Sequence, residues 1–159
     1  MYFGGASIRL SAGTVDGVDT NGIRFRLCID LDSEDAEVVL NEKTYSQEQF
    51  TDPTNENFIK TGMVIMPSDL IKEGENLIDG YTNGNAKAVT VNNDTEGWAW
   101  QKVSEGTKWY LQAVAYLYNI PNTDYGRDRL FTVRGYYVDG ETFYSEVAER
   151  SISWVAVSA

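Results

Sequence analysis

The aromatic side chains are the residues of this sequence best suited to chemistry, and most of them lie in its second half. The chain of 159 residues holds ten tyrosines and four tryptophans. Residues 108–118 alternate with a period of two, as in a β-strand, so one amphipathic face carries Tyr110, Gln112, Tyr116 and Tyr118. Such a face suits a sugar ring, because apolar C–H groups stack on aromatic rings while hydroxyls form hydrogen bonds at the edge.

Two further groups extend this candidate binding surface. Residues 130–138 form a second predicted strand, and its pairing with 108–118 would bring Arg134 and Tyr136 beside the tyrosines. Trp98 and Trp100 lie two residues apart, where both rings would point the same way and span about 7 Å. The predicted ligand contacts are therefore Trp98, Trp100, Tyr110, Tyr118, Arg134 and Tyr136. The first four would stack on the ligand or line the groove, Arg134 would donate hydrogen bonds, and Tyr136 would do either.

A purely structural role is the alternative for every one of these rings. Cross-strand aromatic pairs stabilise exposed sheets without any ligand. Tryptophan is also highly buried on average, so at least one of Trp98 and Trp100 is expected to fill the core.

The residue types present in the chain give little support to a catalytic function. The chain contains no histidine, and Cys28 is its only cysteine. This removes the commonest general base, the usual zinc ligand and any nucleophile that depends on histidine. Cys28 cannot form an internal disulfide and is expected to be a packing residue. The 24 acidic residues include pairs that could serve in glycoside hydrolysis, but their spacing in the sequence does not distinguish a catalytic pair from any other pair. We therefore predict a protein that is not an enzyme, with a glycosidase as a further alternative.

Two acidic stretches raise the question of a calcium site. Residues 16–22 form a short acidic loop, and Asp30, Asp32, Glu34 and Asp35 follow a predicted strand. Calcium requires six to eight oxygen ligands, and the closing glutamate of an EF-hand is missing. Solvated acidic loops explain both stretches better, so we predict no cofactor, with calcium as the alternative.

Charge limits the classes of partner. The net charge is −11 and the isoelectric point is about 4.3. Nucleic acids and anionic membranes would be repelled, because their affinity for proteins depends on neutralising phosphates. No apolar stretch reaches the ~20 residues that span a bilayer. We predict no nucleic-acid binding and no membrane insertion, which leaves neutral ligands, cations and basic partners.

Alternating hydrophobicity predicts an all-β chain. About eight short strands separated by turns are typical of a sandwich or a barrel. No repeat or linker is visible, so a single domain is expected over residues 1–159. Residues 32 to about 85 form an enlarged middle segment, in which 74–85 is expected to be an exposed loop. The tail from Glu149 fits either a terminal strand or a short helix.

The C-terminal part resembles the end of a fibronectin type III domain. The resemblance is carried by Asn119–Tyr125, Phe131–Tyr136 and Tyr144–Glu146. It implies an immunoglobulin- or fibronectin III-like antiparallel β-sandwich in which Tyr125 forms a corner, with its ring in the core and its hydroxyl bonded to nearby backbone. The sequence departs from that family at residues 126–129, which lengthen the path from Tyr125 into the next strand.

A second resemblance covers more of the chain. Gly5–Leu10, Gly22–Phe25, Met63–Pro67 and Glu149–Ile152 resemble an uncharacterised β-rich module of large secreted and cell-surface proteins from gut clostridia and ruminococci. The resemblance implies a Gram-positive bacterium, an extracellular or cell-surface location and a larger multi-domain protein concerned with polysaccharides. It transfers no catalytic or ligand residues.

Together, these observations predict a non-catalytic module that binds a polysaccharide or oligosaccharide and belongs to a secreted or surface-attached bacterial protein. The alternative is a structural or adhesive spacer module that binds protein partners without a small ligand.

Overall fold

A computed structural model of the chain describes residues 1–71, 89–92 and 100–158. The strands within these ranges are β1 (Tyr2–Val15), β2 (Val18–Leu31), β3 (Val38–Leu40), β4 (Lys43–Tyr45), β5 (Lys60–Pro67), β6 (Val89–Asn92), β7 (Gln101–Glu105), β8 (Lys108–Pro121), β9 (Phe131–Asp139) and β10 (Glu141–Arg150). The helices are α1 (Glu48–Thr51), α2 (Asp124–Asp128) and α3 (Ile152–Ser158), with a 3-10 turn at Ser68–Leu70. In these ranges, no helix has the length and apolar character needed to span a membrane.

Two antiparallel sheets form the body of the molecule. The first sheet has the strand order β1-β2-β8-β7, and the second has the order β10-β9-β5-β6. Strands β3 and β4 form a separate hairpin. The chain is an all-β sandwich, which confirms the fold class predicted from the alternating pattern.

The inner faces of the sheets form the core because their apolar residues recur with a period of two. In β2, Ile23, Phe25, Leu27 and Ile29 are almost fully buried. The sheets approach closely at Gly135 of β9, where an added Cβ would lie only 2.7 Å from Cδ1 of Leu27. A glycine at this position lets the side chain from β2 pack directly on the backbone of the opposite sheet.

The predicted pairing of residues 108–118 with residues 130–138 is wrong. The observed pairing separates the residues of the predicted binding surface. Strand β8 pairs with β2 and β7, whereas β9 pairs with β5 and β10. Residues 108–118 and 130–138 therefore belong to different sheets. The reason lies between them, because α2 carries the chain from one sheet to the other instead of a tight hairpin.

Local elements follow the sequence more closely. Pro67 precedes the 3-10 turn at Ser68–Leu70, and the Asp139–Gly140 turn connects β9 to β10, with φ of +75° at Gly140. The acidic loop predicted at residues 16–22 is much shorter, because β1 and β2 continue up to a two-residue turn at Asp16 and Gly17. Within the ambiguous tail, Glu149 and Arg150 end β10, and the helix α3 begins at Ile152. The loop predicted at 74–85 lies outside the described residues.

Candidate functional site

Trp100 is a core residue and not a ligand contact. Its side chain is only 3% exposed. The indole Nε1 donates a hydrogen bond to Oγ1 of Thr61, and the ring packs edge-on against Phe50 of α1. A tryptophan buries a large apolar area, so its ring contributes more in the core beneath α1 than on the surface. Its predicted partner in the binding surface, Trp98, lies outside the described residues.

Tyr110 and Tyr136 are also buried, with exposures of 6% and 9%. They lie on the outer faces of different sheets, so the shared surface predicted for them does not exist. Tyr110 faces Asp30 and Val103 across the first sheet. Tyr136 packs with Val64 and Met66 on the second sheet. Alternation correctly places both rings away from the main core, but an outward-facing residue is not always exposed.

Arg134 has partners within the protein and lies on the second sheet, away from β8. Its Nε donates to the carbonyl oxygen of Ser145 at 3.2 Å, and its guanidinium lies 4.4 Å from the centroid of the Tyr144 ring. These contacts hold the side chain of Arg134 against the second sheet, so it does not share a surface with the tyrosines of β8. Among the described residues of the predicted set, Tyr118 alone presents an exposed ring.

Tyr118 forms part of an exposed aromatic pair on the outer face of the first sheet. The rings of Tyr116 and Tyr118 are parallel within 3°, and their centroids are 5.6 Å apart. They are 41% and 49% exposed. Tyr118 leans over Gly22 of β2, where a Cβ would lie 2.8 Å from its Cδ1. The glycine therefore allows the tyrosine ring to lie against the sheet while the rest of its surface faces solvent.

A cleft of about 240 Å³ opens beside Tyr118, between the end of β8 and α2. We call it the tyrosine cleft, and its lining residues are Leu117, Tyr118, Asn119, Ile120, Pro121, Tyr125, Gly126, Arg129 and Phe131. Tyr118 and Tyr125 contribute exposed rings, while Ile120 and Phe131 are buried and contribute apolar surface. The cleft thus combines aromatic rings, apolar side chains and the polar groups of Asn119 and Arg129.

Tyr125 is 67% exposed, so the prediction that it forms a fibronectin-like corner is wrong. The cause is α2, which occupies the residues by which the sequence departs from that family. Oγ1 of Thr123 accepts a hydrogen bond from the backbone N–H of Gly126 at 3.1 Å and caps the helix. The Thr123–Asp124 pair is a sequence signal for a helix start and would have indicated this helix.

Gly126 sets the distance between α2 and β8. A Cβ at this position would lie 2.0 Å from the carbonyl oxygen of Pro121. Only a glycine permits this approach without a backbone shift. The close contact between the helix and the end of β8 holds Tyr125 at the cleft that Tyr118 lines from the strand.

Arg129 lies on the other side of Tyr125. Its guanidinium is 5.5 Å from the centroid of the Tyr125 ring, and one terminal nitrogen donates to Asp69 at 3.2 Å. These contacts separate the tyrosine cleft from a neighbouring depression of about 460 Å³. This acidic depression is lined by Ser68, Asp69, Asp124, Tyr125, Asp128, Arg129 and Leu130.

A separate polar cluster joins the β3–β4 hairpin to the turn after β9. The carboxylate of Asp139 accepts hydrogen bonds from Nζ of Lys43 and from the hydroxyl of Tyr45, both at 2.6 Å. These hydrogen bonds, led by the one from Lys43, lower the pKa of Asp139 because they stabilise its charged form. The arrangement connects two elements of the fold and does not border the tyrosine cleft.

The acidic stretches considered for calcium take other roles. Asp16 forms the β1–β2 turn, and Asp30 accepts from Tyr2 at 2.7 Å and lies 3.4 Å from Nζ of Lys108. Across the part of the chain that the structure describes, no three acidic or cysteine side chains gather as metal ligands.

Comparison with known proteins adds no assignment, since no family model matches the chain and no curated protein matches its sequence.

Proposed function

We propose that this protein binds a polysaccharide through the tyrosine cleft, as a non-catalytic module. The observation that carries the proposal is the pair of exposed rings, Tyr118 and Tyr125, at a cleft with apolar surface between them. The predicted function is retained, but its contact residues change. Tyr118 remains from the predicted set, Tyr116 and Tyr125 join it, and Arg129 takes the role of guanidinium donor.

A sugar ring fits the chemistry of this cleft. Its C–H face stacks on an aromatic ring, and its hydroxyls accept or donate hydrogen bonds at the polar edge. Tyrosine supplies both kinds of contact, since the ring is apolar and its hydroxyl is polar. Large exposed aromatic side chains beside a concave surface are a feature of interaction sites.

The neighbouring features favour a chain of sugars over a single one. On one side of the cleft, the ring of Tyr116 stacks on Tyr118 and continues the aromatic surface along β8. On the other side, Tyr125 and Arg129 border the acidic depression. A ligand that crosses the cleft would contact aromatic rings at the β8 side and polar groups at the α2 side. An extended polymer could therefore make contacts beyond the sugar unit that occupies the cleft.

The proposal includes the cellular setting. A polysaccharide ligand is consistent with a secreted or surface-attached protein of a Gram-positive gut bacterium and with further domains in the same polypeptide. The resemblance of Gly5–Leu10 and Met63–Pro67 to modules of such proteins supports this setting.

Affinity electrophoresis tests the proposal. The protein is run through native gels that contain starch, xylan, β-glucan or pectin. We expect slower migration in one polymer, with the effect lost in Tyr118→Ala and in Tyr125→Ala. Tyr144→Ala is the matched control, because this tyrosine is similarly exposed but lies on the second sheet.

Two results would contradict the proposal. Unchanged migration in all polymers would favour the spacer module, and equal loss of retardation in Tyr144→Ala would show that the cleft is not the site. Counts of reducing ends in the retarding polymer separate binding from hydrolysis, since a glycosidase would raise them.

A further inference from the structure

A second concave surface lies on the outer face of the first sheet, beside the tyrosine pair. It is a pocket of about 180 Å³ lined by Gly4, Gly5, Ala6, Ser7, Arg24 and Arg26. In the strand register, Ser7 of β1 lies opposite Arg24 of β2, and Arg24 lies opposite Tyr116 of β8. The pocket and the tyrosine pair are therefore neighbours on one continuous sheet surface.

The two arginines of this pocket differ in their partners. Arg26 donates from Nε and one terminal nitrogen to the carbonyl oxygen of Gly4, at 3.1 and 2.7 Å, and from the other terminal nitrogen to Gln112 at 3.2 Å. The guanidinium group of Arg24 makes no hydrogen bond or ion pair with any residue that the structure describes. Its Nε and the hydroxyl oxygen of Ser7 are shielded from solvent without a partner, as are the Nε atoms of Arg129 and Arg150. The terminal nitrogens of Arg24 are not among these shielded atoms, so they are the donors that a ligand would reach. Buried polar groups in native proteins normally have partners, and an exception calls for an explanation.

The charge at the pocket is opposite to that of the chain as a whole. The chain carries 24 acidic and 13 basic residues, yet the residues that line this pocket include two guanidinium groups and no carboxylate. Asp30, further along β2, already lies near Lys108. An anion placed here would meet an arginine whose charge no described side chain neutralises.

A carboxylate is the anion that fits this position on a glycan-binding surface. Guanidinium groups bind carboxylates through two parallel hydrogen bonds, and these charge-assisted bonds are stronger than neutral ones. Directly opposite residues in a sheet have Cβ atoms about 5 Å apart, and diagonal neighbours are about 7–8 Å apart. Arg24 is thus close enough for the carboxylate of a sugar unit next to one stacked on Tyr116 or Tyr118.

We propose that Arg24 is the carboxylate-binding group of the polysaccharide site, so that the ligand is an acidic glycan containing uronic acid. This inference rests on the proposed function, and it departs from the expectation drawn from the net charge because the residues that line this pocket are locally basic. At the opposite end of the site, Asp69, Asp124 and Asp128 line the acidic depression, and the nearby arginines Arg129 and Arg127 are already paired with Asp69 and Asp124. The carboxylated unit therefore binds at the Arg24 end of the surface.

The test compares polygalacturonate with its methyl ester and with neutral β-glucan, by isothermal titration calorimetry on the folded chain. We expect the wild type to prefer polygalacturonate at least tenfold and to lose this preference as salt rises. Arg24→Gln is expected to lower affinity for polygalacturonate at least tenfold and to change affinity for the methyl ester less than twofold.

Two further variants control the comparison. Lys102→Gln removes one positive charge from β7 of the same sheet and is expected to bind like the wild type. Arg24→Lys keeps the charge but cannot form two parallel hydrogen bonds, so its affinity should fall between those of the wild type and Arg24→Gln. Urea unfolding of each variant confirms that it is folded.

The outcomes separate this inference from the proposed function. A wild type that binds the methyl ester or β-glucan as well as polygalacturonate overturns the role of Arg24 but leaves polysaccharide binding intact. Undiminished affinity of Arg24→Gln for polygalacturonate also overturns the role of Arg24 and leaves polysaccharide binding intact. Failure to bind any of the three polymers, together with unchanged migration in every affinity gel, overturns both.

Discussion

Replacement of Gly126 by alanine tests whether the contact between α2 and β8 shapes the tyrosine cleft. The added Cβ would lie 2.0 Å from the carbonyl oxygen of Pro121, whereas carbon–oxygen contacts are comfortable from about 3.3 Å, so the helix must move by roughly 1.3 Å. Both sides of the contact are backbone, so no side-chain rotation relieves it. Overpacking of this kind costs about 1–3 kcal/mol, and we expect the upper part of that range.

Thermal unfolding gives the assay for this prediction. In a chain of this length, 1 kcal/mol corresponds to a Tm shift of about 2–4 °C, so Gly126→Ala should lower the Tm by roughly 6–12 °C. Thr123→Ala is the graded control, since loss of the helix cap costs about 1 kcal/mol. The displaced helix should also carry Tyr125 away from the cleft and weaken retardation in the affinity gel. An unchanged Tm together with wild-type retardation would show that the contact between Gly126 and Pro121 does not shape the cleft.

Three further predictions concern the rest of the fold. Trp100→Phe removes the donor to the buried Thr61 hydroxyl and should lower the free energy of unfolding, measured by urea titration, by about 1–3 kcal/mol. Polysaccharide retardation should not change. Loss of retardation with an unchanged free energy of unfolding would instead indicate that Trp100 contacts the ligand. Because the pKa of Asp139 is lower in the folded protein, its ionised carboxylate stabilises the fold at pH values above the ordinary carboxyl pKa of 3.8. This contribution to the free energy of unfolding is lost as the pH falls through the lowered pKa of the folded state. The stability difference between wild type and Asp139→Asn should therefore shrink on acidification towards about pH 3, and a difference constant with pH would contradict this. Burial raises the pKa of the Cys28 thiol, so it should react slowly with a disulfide reagent at about pH 8 until denaturant is added; rapid reaction of the native protein would show that the thiol is accessible.

The strands could be predicted from the sequence, because alternation of apolar and polar residues follows from the geometry of a half-buried strand. The run Ile23–Ile29 shows this clearly, since its alternate residues fill the core as expected. The sequence does not decide between a strand and the helix α3 for the tail, because Ile152 fits both a strand and a helical face. The structure resolves the ambiguity through Ile152 and Val155, which are three residues apart and both buried.

The exposure of the tyrosines could not be predicted, because it depends on which strands become neighbours. Tyr110 and Tyr118 lie on the same face of β8, yet one is buried and the other is exposed. Alternation assigns a side chain to a face, but it does not show what covers that face. The false pairing of β8 with β9 had the same origin, since the length of the connection did not reveal that α2 crosses between sheets.

Mapping of the ligand contacts in solution tests whether the tyrosine cleft is the binding surface. Backbone amide signals of the protein are followed by NMR while oligosaccharide from the retarding polymer is added. We predict the largest shifts at Tyr118, Tyr125, Gly126 and Arg129, with little change at Tyr144 on the second sheet. Shifts centred on the second sheet, or no saturable shift around the cleft, would contradict the claim that these exposed tyrosines form the binding surface.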